Sequence, residues 1–381
     1  MSNLLDKLKE IETPFYLYDI DLLRKTLSTI KAEADKYNYK ICYAIKANFN
    51  NRILNEISSM GFGADCVSGN EINKVLENGF VFSDIVFAGV GKTDKEILYA
   101  IDNNILCFNC ESLQEIEVIN ELAMLRNKKV NIAIRVNPDF DSKTHKYITT
   151  SLKENKFGIF HREVSDVYDK ICEFENINLL GLHFHIGSQI LDLSNYKELC
   201  NKANLILNWF KEQNIAIPYV NVGGGLGIDY DNPDNNVSDF KNYFKIFKDN
   251  LIVEDYQSVY FELGRSVVGQ CGKLYTKVNY IKKGDNKDFV IVDAGMTELI
   301  RPALYNAFHK IENITSNLSC EEYDVVGPIC ESSDFFAKNI KLNKAHRGDL
   351  LEISSTGAYG QVMSSNYNLR DFAKDYYTDE L

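Results

Sequence analysis

The sequence predicts an α/β fold in which a (β/α)8 barrel of the TIM type is followed by a β-rich C-terminal domain. Eight short apolar runs of β type alternate with stretches of helical periodicity between residues 41 and 262. Residues with chemically useful side chains follow these runs, and the strands of such a barrel end on a common face. After Glu262 helical periodicity becomes scarce, which indicates a second domain of different architecture.

The first predicted element is a strand at residues 15–18, Phe-Tyr-Leu-Tyr, which lies outside the eightfold count and is expected to join the second domain. A helix over residues 20–37 follows it. The clearest helix of the barrel covers residues 194–211, where apolar residues recur at steps of three and four. The barrel strands are predicted at residues 41–45, 61–65, 85–89, 105–108, 131–136, 180–186, 218–222 and 258–262.

Three other helices of the barrel are predicted to start with a capping box, in which a hydroxyl and a Glu carboxylate each accept a hydrogen bond from the other residue's backbone N–H. The pairs are Ser68 with Glu71, Thr93 with Glu96, and Ser112 with Glu115. Each pair follows a predicted strand closely, as the connection from a strand to the next helix requires.

The second domain is predicted from its own β-type runs, with one helix near residues 297–309. These runs lie at residues 273–283, 288–293, 322–327 and 349–354. The resulting domain boundaries are 20–262 for the barrel, and 1–19 together with 263–381 for the β-rich domain. Residues 139–156 are rich in charge and threonine, and we expect them to form a lid.

The composition indicates a soluble globular protein, with 45% hydrophobic and 25% charged residues. A formal net charge of -12 argues against nucleic acid or an anionic membrane as a partner. No apolar run is long enough to cross a bilayer, and we see no secretory signal. Nine cysteines are then expected to be reduced thiols in the cytoplasm, with Cys107 and Cys110 as buried or semi-buried thiols and no metal site.

Lys46 follows the apolar run Ile41 to Ile45, so it is expected at the mouth of an apolar site. Desolvation there penalises the ammonium form, lowers the pKa of the amine and frees it to attack a carbonyl. Taken alone, Lys46 is more simply interpreted as a surface lysine just past a strand. The residues at the other strand ends favour the functional interpretation: Asp65, Gly89, Asn109, Asn137, His185 with Ser188, Gly223 to Gly225, and Glu262 with Arg265.

The glycine run Gly223 to Gly225 allows backbone N–H groups to approach a phosphate, although a plain tight turn has the same appearance. Its spacing does not match a dinucleotide fingerprint, which favours a smaller phosphorylated cofactor. His183 and His185 lie on one face of a strand and would suit a zinc-dependent hydrolase, but no further ligand follows them. We favour His185 as a ring stacked on a planar cofactor, Ser188 as a phosphate donor and His183 as a structural histidine.

Glu262 completes the set, because a carboxylate facing a pyridine nitrogen keeps that nitrogen protonated. A structural pair of Glu262 with Arg265 is the alternative. An amine, a glycine run, a flat ring and a carboxylate together specify pyridoxal 5′-phosphate.

A resemblance to the barrel-type pyridoxal-phosphate decarboxylases, which share their fold with alanine racemase, is carried by five motifs: YAIKAN, GADCVSGNE, GLHFHIGSQI, NVGGGLGIDY and ELGR. Three later motifs are similar to those of the diaminopimelate decarboxylase group: DAGMTELIRPALYNAFHKI, VVGPICESSDFF and GAYGQVMSSNYNLR. The resemblance covers nearly the whole chain. One departure is Leu263, which stands where the family usually has proline.

The resemblance implies a role for each matching residue. Lys46 would be the Schiff-base lysine, Glu262 would pair with the pyridine nitrogen, and Cys330 would donate a proton in the partner subunit's site. The implied cofactor-binding residues are Lys46, Asp65, His185, Ser188, Gly224, Gly225, Glu262, Gly264, Arg265 and Tyr359. The implied substrate-binding residues are Arg265, Arg301, Tyr305, Glu331 and Tyr359. Members of the family are homodimers with two shared active sites, for which the β-rich domain would supply dimer and substrate contacts.

The function implied is decarboxylation of meso-2,6-diaminopimelate to L-lysine and CO2, the last step of lysine biosynthesis. A decarboxylase for arginine, ornithine or carboxynorspermidine is the first alternative. An inactive homologue that regulates a partner enzyme is the second, although such a protein would be expected to have lost some of the catalytic set.

Overall fold

The computed structural model describes residues 2–138, 156–235 and 237–381, so most of the predicted lid lies outside the described residues. Contacts within the chain define two compact units. The barrel unit comprises Leu27–Gly227 and Ser238–Gly264, and the β-rich unit comprises Met1–Thr26, Ile228–Val237 and Arg265–Leu381. The predicted division of labour, with cofactor binding in one domain and dimer and substrate contacts in the other, stays a prediction.

The barrel unit contains a closed barrel of eight parallel strands, which confirms the predicted fold class. In chain order the strands are Lys40–Ala44, Gly63–Cys66, Ile85–Phe87, Cys107–Cys110, Val130–Asn137, Ile177–Phe184, Tyr219–Gly224 and Ser258–Leu263. Each pairs with its neighbours in chain order, and the eighth pairs with the first, which closes the barrel. A two-residue strand, Ile159–Phe160, pairs in parallel with the end of the fifth strand, at Val136 and Asn137.

The main helices of the barrel unit connect these strands: Asn51–Ser59, Gly69–Glu77, Asp94–Asp102, Leu113–Leu125, Val164–Ile171, Ser194–Glu212 and Phe240–Asn250. A further helix, Ile20–Asp35, begins in the β-rich unit and continues into the barrel unit. None of the helices in the described part of the chain is long and apolar enough to cross a membrane.

Only one of the three predicted capping boxes is complete. At Thr93 and Glu96 both reciprocal hydrogen bonds form. Ser68 and Ser112 do cap their helices, but their glutamates accept from the residue before the cap, at Val67 and Glu111. The reciprocal bond is lost there because each carboxylate reaches one residue further back along the chain.

Aromatic packing fixes which face of the eighth barrel strand points into the barrel. The Phe261 ring is fully buried, and its centroid lies 4.9 Å from the centroids of Tyr39, Phe244 and Phe247. Successive side chains of a strand point to opposite faces. With Phe261 held among the surrounding aromatic rings, the next residue, Glu262, therefore points into the barrel.

The β-rich unit contains an eight-stranded sheet. Its strands are Phe15–Tyr18, Gly272–Lys283, Asp288–Val292, Ile311–Asn313, Cys320–Val326, Phe335–Asn343, Leu350–Ile353 and Lys374–Tyr377. The predicted N-terminal strand does join this sheet, antiparallel to Gly272–Lys283 and parallel to Lys374–Tyr377. The unit also contains the helices Ser2–Glu10, Arg265–Val268 and Arg301–Tyr305.

The predicted helix at residues 297–309 is wrong in extent, because only Arg301–Tyr305 is helical. Pro302 suits the first turn, and the helix ends where Asn306 adopts a left-handed conformation with φ 51°. The sequence also failed to reveal the strand Phe335–Asn343, whose lysines and asparagines are typical of an exposed edge.

Candidate active site

Lys46 is presented by the end of the first barrel strand. The strand stops at Ala44 and a single 3-10 turn, Ile45–Ala47, follows. Ala44 is in register with Asp65 on the second strand, and Lys46 Nζ donates to Asp65 Oδ2 at 2.6 Å. Asp65 is completely buried, whereas 37% of the Lys46 side chain is exposed. The amine is therefore anchored by a buried carboxylate and remains accessible.

Glu262 lies at the centre of a buried network formed by side chains from four barrel strands. Its Oε1 accepts from Asn221 Nδ2 at 2.7 Å and from Asn109 Nδ2 at 3.1 Å, and His183 Nε2 lies 3.0 Å from Oε2. Burial alone would raise the pKa of Glu262, but His183 and Lys46 lower it to about 2. Burial and the Glu262 charge raise the pKa of Asp65, against the opposing effect of Lys46. Glu262 is thus held ionised in a fixed orientation.

His183 has a more specific contact than the predicted structural role implied. Because a carboxylate only accepts hydrogen bonds, His183 Nε2 carries the proton that faces Glu262. In the described part of the chain, His183 Nδ1 is buried and has no hydrogen-bond partner. No group of three or more His, Cys, Asp or Glu residues among those described is placed to hold a metal ion.

The glycine run packs too closely for any side chain. A Cβ on Gly224 would lie 1.8 Å from the Glu262 carbonyl oxygen, and one on Gly225, at φ +97°, would lie 2.4 Å from the Gly187 oxygen. The backbone N–H of Gly224 donates to His185 Nδ1 at 3.2 Å, which orients that ring. Burial and the positive charge of Arg135 lower the pKa of His185 to about 3, so the ring is neutral at neutral pH.

The remaining barrel residues of the predicted site lie close to the same strand ends. Ser188 is half-buried and follows His185 on the same loop. Gly264 is buried after the eighth strand, where a Cβ would lie 3.2 Å from Cβ of both Ala44 and Ala47. Leu263 is buried and in register with Tyr43, so the strand continues through the position that is proline in the family.

Within the β-rich unit, the predicted residues Arg265 and Arg301 meet at one hydroxyl group. The Nη1 atom of each guanidinium lies 2.7 Å from Tyr230 Oη, and all three residues are buried. Arg265 also stacks over the Tyr359 ring at 4.9 Å, and Tyr305 is half-buried at the end of the helix that starts at Arg301. This part of the unit is a buried, positively charged cluster.

Cys330 and Glu331 are both exposed on the connection between Cys320–Val326 and Phe335–Asn343. The Cys330 backbone N–H lies 3.4 Å from Asn368 Oδ1, and Tyr367 Oη donates to a Glu331 carboxylate oxygen at 2.8 Å. These contacts hold the connection while leaving both side chains at the surface.

Sequence reasoning missed the residues that hold the predicted ones in place. Asn109 follows a predicted strand but has no predicted role, and Asn221 stands just before the glycine run. Tyr230 and His309 lie within two of the quoted motifs but had no predicted role. Tyr230 is separated by 35 and 71 residues from its two arginine partners, and His309 by 45 residues from Ser354.

Comparison with known proteins agrees with this geometry. Residues 21–269 match the model of the pyridoxal-dependent decarboxylase family, pyridoxal binding domain. The diaminopimelate decarboxylase of Bacteroides thetaiotaomicron is 53% identical over 99% of this chain and 98% of its own length. That of Aquifex aeolicus is 42% identical over 95% of this chain and 86% of its own. The crystal structure of the Helicobacter pylori diaminopimelate decarboxylase complexed with L-lysine has a TM-score of 0.94 at 39% identity, covering 100% of this chain and 95% of that one.

The fold and the family match define the class of protein: an enzyme of the barrel-type pyridoxal-dependent decarboxylases. Within that class the chain belongs to the diaminopimelate decarboxylase family. The predicted resemblance and the predicted cofactor, pyridoxal 5′-phosphate, are thereby confirmed.

The residues present fit this cofactor. Lys46 supplies an accessible amine for an aldehyde, and the ionised Glu262 suits a protonated ring nitrogen. The buried atoms Asp65 Oδ1 and His183 Nδ1 have no hydrogen-bond partner in the described part of the chain. Both atoms can therefore still form a hydrogen bond with a bound group.

Proposed function

We propose that the protein removes one carboxyl group from meso-2,6-diaminopimelate and releases L-lysine and CO2. The observation that supports this substrate most directly is the buried guanidinium of Arg301. Among the described residues, its hydrogen-bond partners are Tyr230 and His309, neither of which is a carboxylate. A buried cation of this kind favours an anionic ligand. Diaminopimelate carries a second carboxylate, whereas ornithine and arginine do not.

The barrel residues would hold the cofactor. Lys46 would bind its aldehyde carbon, with Asp65 keeping the amine in place, and Glu262 would hold a proton on the ring nitrogen. When bound, pyridoxal phosphate supplies an electron sink for the electron pair that departing CO2 leaves at Cα. The further residues proposed for the ring face, the phosphate and the cofactor surroundings are His185, Ser188, Gly224, Gly225, Gly264, Arg265 and Tyr359.

The β-rich unit would orient the substrate. Arg301, together with Arg265, would bind the carboxylate that is retained, and Glu331 would bind the distal ammonium group through charge-assisted hydrogen bonds. Tyr305 and Tyr359 would complete the substrate contacts. Both ends of meso-diaminopimelate carry an ammonium and a carboxylate group and differ only in configuration. The spatial order of the cation and the anion would therefore select the end that is retained.

We propose that the active protein is a homodimer in which Cys330 and Glu331 complete the partner's site. Their exposure on one connection of the β-rich unit supports such a role. The Cys330 thiol would donate its proton to Cα after CO2 has left.

The direct test is to incubate the purified protein with pyridoxal phosphate and meso-diaminopimelate and to measure L-lysine and CO2. Ornithine, arginine and carboxynorspermidine serve as competing substrates, and the Lys46→Ala variant is the matched inactive control. Equal or faster turnover of another amino acid would contradict the substrate assignment. Absence of turnover with every substrate would favour an inactive regulatory homologue.

The shared site is tested by mixing two inactive variants, Lys46→Ala and Cys330→Ala, under conditions that allow subunits to exchange. Each mixed dimer would contain one intact site, so random pairing restores about a quarter of the wild-type activity. No recovery despite demonstrated exchange would show that Cys330 acts within its own subunit.

A further inference from the structure

Tyr230 receives hydrogen bonds from two guanidinium groups at once. Arg265 Nη1 and Arg301 Nη1 each lie 2.7 Å from its hydroxyl oxygen. Both arginines are charged at every relevant pH, and a guanidinium can only donate. Two like charges are therefore brought to one buried point, where their mutual repulsion is screened less than in water. An electron-rich oxygen between them offsets that repulsion.

Among the described residues, Arg301 also contacts the His309 ring, which carries no charge. His309 Nδ1 lies 3.0 Å from the Ser354 carbonyl oxygen, which only accepts, so Nδ1 carries the proton. His309 Nε2, 3.0 Å from Arg301 Nη1, is then the acceptor. Burial and the Arg301 charge lower the pKa of His309 to about 3, so this ring carries no charge at neutral pH. Within the described ranges, Arg301 is thus hydrogen-bonded to acceptors that carry no negative charge.

The Tyr230 ring is fixed by its surroundings. The Arg301 guanidinium lies over the ring at 5.1 Å, and the His309 ring meets it edge-on at 5.1 Å. Asp229 Oδ1 accepts from the backbone N–H groups of Asp231 and Asn232, both at 3.0 Å, which closes a tight turn around Tyr230. These contacts fix the position of the Tyr230 hydroxyl oxygen.

We propose that Tyr230 is a positioning residue that holds Arg265 and Arg301 together as one binding element for an anionic group of the substrate. This inference rests on the proposed function, in which that group is the retained carboxylate. Without the hydroxyl, the two cations would move apart and each would have to be reoriented when the substrate binds. Tyr230 then determines affinity for the distal carboxylate while taking no part in bond breaking.

The kinetic test compares Tyr230→Phe with Tyr275→Phe in the holoenzyme. The control removes another buried hydroxyl of the same unit, one that donates to Glu352 Oε2 at 2.6 Å. We expect Tyr230→Phe to raise KM for meso-diaminopimelate roughly ten- to hundredfold, the factor for losing a hydrogen bond to a charged group. We expect kcat to stay within about threefold, because the effect is on substrate binding. An unchanged KM, or a fall in kcat alone, would overturn the proposal.

A second readout does not depend on turnover. Burial raises the pKa of the Tyr230 hydroxyl, but Arg265 and Arg301 together lower it below its ordinary value. His309, neutral at neutral pH, and the rings of Tyr305 and Tyr359 are the other titratable groups of this cluster. Carbon-13 NMR of tyrosine labelled at the hydroxyl-bearing carbon follows each tyrosine separately, and Tyr230→Phe identifies the signal.

We expect the Tyr230 signal to titrate below the ordinary range of tyrosine in the wild type and to move upward in Arg301→Gln. The electrostatic coupling would be overturned if the Tyr230 pKa lay in the ordinary range of tyrosine. It would also be overturned if Arg301→Gln left that pKa unchanged. If the wild type decarboxylated nothing and this titration still behaved as expected, the proposed function would fail while the role of Tyr230 in holding the arginines would stand.

Discussion

The network around Glu262 makes a quantitative prediction for the Glu262→Gln variant. The carboxylate accepts two hydrogen bonds from Asn109 and Asn221 on one oxygen, and it faces the His183 N–H with the other. Glutamine can keep its carbonyl oxygen towards the two asparagines, but its NH2 group then faces a donor. The buried His183 Nε2–H group thereby loses its acceptor, and His183 Nδ1 has no hydrogen-bond partner among the described residues that could compensate.

The magnitude follows from the structure in two ways. Loss of a hydrogen bond to a charged group, with a buried donor left unsatisfied, costs about 2–3 kcal/mol. The pKa of Glu262 falls from its ordinary value of 4.5 to about 2 in the folded protein. A shift of that size corresponds to about 3 kcal/mol of stability. We therefore expect Glu262→Gln to lower the free energy of unfolding by about 2–3 kcal/mol at neutral pH.

The pH dependence has a definite sign. Because folding lowers the pKa of Glu262, its contribution is fully present above pH 4.5 and is lost as the pH falls through about 2. The difference in stability between wild type and variant should therefore be constant near neutral pH and shrink in acid.

The assay is urea unfolding of the cofactor-free proteins, followed by the fluorescence of Trp209. This is the sole tryptophan of the sequence and lies on the helix Ser194–Glu212 of the barrel unit. Glu115→Gln is the matched control, since Glu115 is another carboxylate of the barrel and accepts from Lys92 Nζ at 2.5 Å. Both variants should lose stability, but only Glu262→Gln should alter the absorption of bound pyridoxal phosphate. A Glu262→Gln variant as stable as the wild type at neutral pH would refute the reasoning.

Three further predictions concern the proposed site. After borohydride reduction of the holoenzyme, peptide mapping should find the cofactor on Lys46, and a Lys46→Ala protein should carry no reduced adduct; an adduct on another lysine would contradict the assignment. Arg301→Ala should lower kcat/KM for meso-diaminopimelate roughly ten- to hundredfold by removing a charge-assisted contact, whereas any turnover of ornithine should be unchanged. Cys330→Ala should lower kcat and leave both KM and the unfolding midpoint unchanged, since the side chain is exposed; a lowered unfolding midpoint would point to a structural role instead.

Much of the fold was predictable because its signals are local. Apolar runs of strand length that alternate with helical periodicity are typical of a barrel, and the closed eight-stranded barrel confirms that interpretation. The N-terminal strand falls outside the eightfold count, which predicts that it joins the second sheet, and it pairs there with Gly272–Lys283. Where local signals are weak the prediction failed, as for the charged edge strand Phe335–Asn343 and the short helix Arg301–Tyr305.

The candidate site was predictable in a different sense. Lys46 and Asp65 both follow predicted strand ends, and the resemblance implies that both bind the cofactor; their charged atoms lie 2.6 Å apart. The same logic could not find that His183 faces Glu262, because the two residues are separated by 79 positions and share no motif. Nor could it find that one hydroxyl accepts from both Arg265 and Arg301.

The sequence by itself therefore determined which functional side chains the protein contains and which strand each of them follows. Both properties depend only on the order of residues along the chain. Only the tertiary structure decided which donor meets which acceptor, and with it the charge state of Glu262 and the bridging position of Tyr230. The physical reason is that hydrogen bonding and burial act through space, between segments whose separation along the chain carries no record of the contact.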